Sequence, residues 1–177
     1  MKIQGIDLFS PSKSGGKFNE AEVLGSAVWL WIQSDTHKEI SLKDLPCLLM
    51  PAIKTGQFVL AVEGGKPVFF LTWAEMDEAA EARYLDNPPE MMPLKDWNSG
   101  ERIWFMDWVA PFGNTKKMYR IMTQVLFKDT YARSLYHRGY EKGIRVQDFH
   151  GRDYSPLEAK RWFRAHPVTP SKILQQA

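Results

Sequence analysis

From Glu20 onward apolar residues recur at helical spacing: Val23, Ala27, Leu30 and Trp31 share one face and predict an amphipathic helix that ends near Ser34-Asp35. Residues 42–54 hold a second apolar cluster, but Pro46 and Pro51 interrupt it and predict short helical turns. Two β-rich runs, 57–63 and 67–73, flank Gly64-Gly65-Lys66, the strongest hairpin signal in the chain. Residues 75–84 combine Ala79, Ala80 and Ala82 with acids, a helical composition that Asn87-Pro88-Pro89 stops. The stretch 102–110 alternates. Ile103, Phe105, Asp107 and Val109 fall on one face and Trp104, Met106 and Trp108 on the other, so both faces are apolar, as in a central covered strand. Asn114 can then cap a helix containing Met118, Ile121, Met122 and Val125, with Lys116, Lys117 and Arg120 outward. Runs 131–137 and 144–149 around 138–143 read as a second hairpin, and 155–164 as a closing helix.

This order of elements predicts an α+β (mixed α/β) sheet domain without internal repeats. Residues 1–19 are rich in Gly, Ser, Lys and Pro, and we read 1–22 as a flexible N-terminal extension to a single domain spanning 23–177. A chain of 177 residues buries enough surface for a core without staples, and its one cysteine, Cys47, rules out an internal disulfide. No apolar run approaches bilayer length and none resembles a signal peptide, so the expectation is a cytoplasmic protein without membrane insertion. Charge sharpens the picture. The net +2 divides into 10 Lys+Arg against 16 Asp+Glu over 1–114, net −6, and 13 against 5 over 115–177, net +8. A basic C-terminal third suits an acidic protein, nucleic acid or anionic lipid, or is a solvated surface balanced by acidic neighbours.

Candidate chemistry is narrow. The chain has no Cys-x-x-Cys, His-Glu-x-x-His, Gly-x-Ser-x-Gly or Walker-type loop, which removes most weight from metal and nucleotide hydrolysis. Ser10-x-x-Lys13 matches a serine-nucleophile pattern but sits among Pro and Gly, and is set aside. Cys47, between Pro46 and Leu48-Leu49, reads as a small core residue. Of the four histidines, His137 and His150 lie in or beside strand runs and suggest structural hydrogen bonding, and His166 adds no signal. His37 stands in the polar loop Ser34-Asp-Thr-His37-Lys after the first helix, where an imidazole can exchange protons near neutral pH. Asp107, among Phe105, Met106 and Trp108, is costly to bury without a partner. Orienting a histidine and pairing with an arginine such as Arg102 are both open.

At these residues the chain resembles a known family. Gly25-Ser-Ala-Val-Trp-Leu-Trp-Ile-Gln-Ser-Asp-Thr-His37, Leu49-Met-Pro-Ala-Ile53, Gln57-Phe-Val-Leu60, Ser99-Gly-Glu-Arg102, Trp104-Phe-Met-Asp-Trp-Val-Ala-Pro-Phe-Gly113 and Asp148-Phe-His-Gly151 resemble the toxin-activating lysine acyltransferases encoded beside RTX toxins, over about residues 24–166. The resemblance implies a fold like the GNAT acetyltransferases, with a central, mostly antiparallel sheet flanked by helices. It also implies transfer of a fatty acyl group from acyl carrier protein to internal lysine ε-amines of an RTX protoxin in the cytoplasm, and a homodimer. It matches the family's catalytic histidine to His37, its aspartate to Asp107 and a serine implicated in activity to Ser34; His37 is then a general base, or itself the acyl acceptor, assisted by Asp107. No metal or cofactor is implied; acyl carrier protein is a co-substrate. The coenzyme A pyrophosphate loop of acetyltransferases is missing: Ala110-Pro-Phe-Gly-Asn114 stands after Asp107 instead, which favours a donor presented by an acidic protein. Backbone N–H groups over 111–115 are candidates to stabilise a tetrahedral oxyanion. The alternatives are a GNAT-like enzyme using acetyl coenzyme A, or a non-catalytic basic adaptor; nucleic acid is not an expected partner.

Overall fold

The computed structural model describes residues 1–135 and 145–169. Its strands are β1 (Lys2–Ile3), β2 (Ile6–Phe9), β3 (Phe58–Glu63), β4 (Lys66–Met76), β5 (Arg102–Val109), β6 (Tyr131–Leu135) and β7 (Val146–His150), and their order in the sheet follows their order in the chain. Helices α1 (Pro11–Ser14), α2 (Glu20–Ile32), α3 (Leu45–Leu48), α4 (Met50–Thr55), α5 (Glu78–Asp86), α6 (Thr115–Ile121) and α7 (Pro156–Ala165) punctuate it. β1 to β4 pair antiparallel in succession, as do β6 and β7, whereas β5 and β6 are parallel. A parallel pair needs a long crossover, here supplied by α6 and the π-helical turn Met122–Leu126. The mixed α/β class and mostly antiparallel sheet expected from the sequence are thus present. Contacts group the chain into two compact units, Met1–Trp73 with Asp107–Met118, and Ala74–Met106 with Tyr119–Ala177, so the chain changes unit within β4, at β5 and within α6.

The first unit is organised by α2. Asn19 caps it, its side chain accepting from the Ala21 and Glu22 N–H groups, while Glu20 and Glu22 complement the positive helix end. Its apolar face then buries Val23, Ala27, Leu30 and Trp31 in one cluster with Leu49, Ile53, Phe58, Leu60, Phe70 and Val109. Short turns over 42–55 arise as the prolines require, and α4 ends at Gly56, whose φ of 72° is left-handed. A Cβ there would also stand 3.2 Å from the Pro11 Cβ, so a side chain is disfavoured twice over.

Two expectations fail in this unit. Residues 1–22, read as flexible, carry β1, β2 and α1, and Ile6 and Leu8 are fully buried. The short alternation Ile6-Asp7-Leu8-Phe9 buries one face and satisfies its backbone on β3, from Ile6↔Glu63 to Phe9↔Leu60; the Gly and Pro bias around it hid that pattern. Cys47 is exposed instead of buried, because the one-turn α3 directs Leu45 and Leu48 to the apolar cluster and leaves Pro46 and Cys47 outside.

In the second unit α5 starts later than expected, at Glu78, because Glu75 and Met76 prolong β4 and Asp77 caps the helix by accepting from the Ala80 N–H. Glu81 is fully buried and accepts from the Trp104 indole N–H at 2.8 Å and from Arg102 at 2.7 Å. Phe105 packs edge-on against Phe127 and Phe149. β6 and β7 pair from Tyr131↔His150 to Leu135↔Val146, as the second hairpin requires, while its loop 138–143 and His137 lie outside the described residues. Ser155 and Glu158 form a capping box that starts α7. Among the described residues, no helix is long and apolar enough to cross a membrane.

Candidate active site

The end of α2 sets the site. The Gln33 N–H closes the last turn on the Leu30 and Trp31 carbonyls, and the chain then folds back: the His37 and Lys38 N–H groups both donate to the Ser34 carbonyl at 3.0 Å. This turn lays the His37 imidazole on the Trp31 indole, with ring centroids 5.2 Å apart and planes 30° from parallel. Asp107 arrives from β5. Alternation along that strand sends Val109 into the cluster with Leu30 and Trp31, while Trp108, between them, packs edge-on against Phe69. Asp107 shares the Val109 face, and so meets the end of α2.

Both carboxylate oxygens of Asp107 are used. Oδ1 lies 2.9 Å from His37 Nε2, and Oδ2 accepts from the Trp31 indole N–H at 2.9 Å. A carboxylate only accepts, so Nε2 carries the proton and donates it; the lone pair of a neutral His37 is then on Nδ1. Nδ1 faces two hydroxyls, Ser34 Oγ at 2.7 Å and Thr36 Oγ1 at 2.8 Å, themselves 3.0 Å apart. The His37 and Asp107 side chains retain 17% and 14% exposure, which keeps them partly shielded from water yet reachable. Such a constellation offers an imidazole nitrogen able to accept a proton, a carboxylate that fixes the opposite N–H and two hydroxyls beside the accepting nitrogen, groups that proton transfer and acyl transfer can use.

The sequence-expected residues Ser34, His37 and Asp107 therefore meet although seventy positions separate the last two. The open alternative for Asp107 resolves: Arg102 pairs with Glu78 and Glu81. His150 and His166 hydrogen-bond to backbone through Nδ1, with Gly151 O at 3.1 Å and Trp162 O at 2.9 Å. Trp31 and Thr36 were not singled out from sequence. Trp31 lay on the apolar helix face, but a buried indole N–H needs an acceptor and a lone strand aspartate needs donors, and that pair of needs was a readable signal. Among the described residues no group of three or more His, Cys, Asp and Glu side chains is arranged to hold a metal ion.

Comparison with known proteins gives one consistent answer. Residues 16–150 match the model of the RTX toxin acyltransferase family. The chain is 34% identical over 150 residues to the leukotoxin-activating lysine-acyltransferase LtxC of Aggregatibacter actinomycetemcomitans, covering 85% of this chain and 88% of that one. Over 160 residues it is 34% identical to the protein-lysine myristoyltransferase RtxC of Kingella kingae, covering 90% and 93%. It is also similar to the protein-lysine myristoyltransferase HlyC of Escherichia coli, 31% identical over 145 residues, covering 82% and 84%.

Proposed function

The chain belongs to the RTX toxin acyltransferase family and is a protein-lysine acyltransferase, and we propose that it moves a fatty acyl group from acyl carrier protein to internal lysine ε-amines of an RTX protoxin, with His37, Asp107 and Ser34 as its catalytic residues. The observation that carries this reading is the 2.9 Å contact between His37 Nε2 and Asp107 Oδ1, which leaves the Nδ1 lone pair to accept a proton. A lysine ammonium, with an ordinary pKa near 10.4, must lose a proton before its nitrogen can attack a carbonyl carbon. His37 Nδ1 takes that proton. Asp107 keeps the opposite N–H in place and stabilises the imidazolium that forms, while the carbon–sulfur bond of the donor breaks and the thiol leaves protonated. The base role is the same whether the amine meets the thioester itself or an acyl-enzyme.

Charge and the loop after β5 support this choice of donor. Ala110-Pro-Phe-Gly-Asn114 is not a pyrophosphate cradle, and the +8 C-terminal third complements an acidic carrier protein. Action in the cytoplasm and assembly as a homodimer belong to the same reading. To test it, the protein is incubated with acyl carrier protein bearing long acyl chains and with a protoxin fragment, and the fragment is weighed intact. An added acyl mass that maps to lysine and survives hydroxylamine is expected. Absence of acyl mass overturns the reading, and transfer from acetyl coenzyme A alone replaces it with a coenzyme A-dependent enzyme.

A further inference from the structure

We propose that Ser34 is the acyl-accepting nucleophile, so that the acyl group passes through a serine ester on its way to lysine; this rests on the acyl-transfer reading above. The argument starts from the ring nitrogens. Asp107 fixes the Nε2–H, and the lone pair on Nδ1 points at Ser34 Oγ, 2.7 Å away. Nucleophile, base and orienting carboxylate thus stand in line as Ser34, His37 and Asp107, an arrangement recognised by geometry, with the two ring nitrogens exchanged relative to the serine protease template. In any direct attack, an incoming lysine nitrogen would have to displace the hydroxyls that already occupy Nδ1.

Between those hydroxyls the choice falls on Ser34. It is the nearer to Nδ1, a primary alcohol without the added methyl of threonine, and half-buried where Thr36 is exposed. Thr36 Oγ1, 3.0 Å from Ser34 Oγ, can donate to it and hold it in place. The atoms balance in two halves. First, Ser34 Oγ gives its proton to Nδ1 and bonds to the thioester carbonyl carbon; the C–S bond breaks and the departing sulfur takes the proton from Nδ1, leaving an ester and a free thiol. Then a lysine nitrogen bonds to the ester carbon and passes a proton to Nδ1, the C–Oγ bond breaks, and Ser34 Oγ recovers the proton.

The test uses the full chain with myristoyl-acyl carrier protein and no protoxin, quenched rapidly in acid and mapped by peptide mass. A burst of free carrier thiol, about one per active site, and a myristoyl group on Ser34 that hydroxylamine removes are expected. Ser34→Ala loses both and falls at least about 100-fold in transfer to protoxin, whereas Ser34→Cys keeps the label as a thioester. A label on His37 or Thr36, transfer by wild-type protein without a label on Ser34, or undiminished transfer by Ser34→Ala overturns the proposal. If wild-type protein transfers nothing to protoxin, the functional reading falls as well, which separates the two failures.

Discussion

Asp107 carries two hydrogen bonds with different consequences, and they separate experimentally. His37 uses one oxygen and the Trp31 indole the other, while the Trp31 ring also supports the imidazole from below. Trp31→Phe keeps the ring and removes the N–H. A hydrogen bond to a charged group contributes about 1.5–3 kcal/mol, so kcat is expected to fall about 10- to 100-fold with little change in KM for either substrate, and the His37 nitrogen NMR signals should report a smaller share of the Nε2–H tautomer. An unchanged kcat and an unchanged tautomer would show that the indole N–H does no positioning. At this scale the sequence was informative about which residue types were out of place and silent about their partners. Asp107 in an apolar strand and His37 in a polar loop were legible as oddities; that they hydrogen-bond to each other is a long-range fact. Arg102, five residues from Asp107, looked the nearer partner, yet strand alternation and the buried Glu81 claim it for another network.

Elements were legible where the periodicity was long and their ends carried caps. The face of α2, the Gly64-Gly65 hairpin and the Ser155 box all needed only local patterns. The β1–β2 segment failed because four alternating residues lie inside a Gly, Ser, Lys and Pro-rich stretch, and what orders them is β3, fifty residues away. Leu8 tests this directly: Leu8→Ala deletes a fully buried side chain and is expected to cost about 2–5 kcal/mol in urea unfolding, whereas a hairpin that does not pack would leave stability unchanged. A second element is held by charge. Arg83 of α5 grips Asp96, which is almost fully buried, through two hydrogen bonds of 2.7 Å, and those bonds hold the carboxyl below its ordinary value of 3.8. Because the folded value is lowered, this contribution to stability is complete above that ordinary value and is lost as pH falls through the lowered one. Acid unfolding followed by circular dichroism should therefore show a shallower fall in stability for Asp96→Asn than for wild type over that range; parallel curves would contradict it.

For the whole molecule, the small net charge concealed an acidic body and a basic C-terminal third, and part of that third is neutralised locally, as Lys128 with Asp153 and Arg133 with Glu81 and Asp148 demonstrate. The proposed function gives the remaining cations an acidic donor to bind, and that binding would depend on salt. Between ~0.05 and ~0.5 M salt, where the screening length shrinks severalfold, KM for acyl carrier protein should rise several-fold with kcat nearly constant; a KM indifferent to salt would remove the charge argument for the donor. The central claim is that the His37–Asp107 pair drives acylation of lysine, and the most direct measurement is the intact mass of a protoxin fragment after incubation with acyl carrier protein and either wild type, His37→Ala or Asp107→Ala, each confirmed folded by circular dichroism. The prediction is an added acyl mass with wild type and a rate lower by about 100- to 10,000-fold with each variant. Equal acylation by wild type and both variants would contradict it.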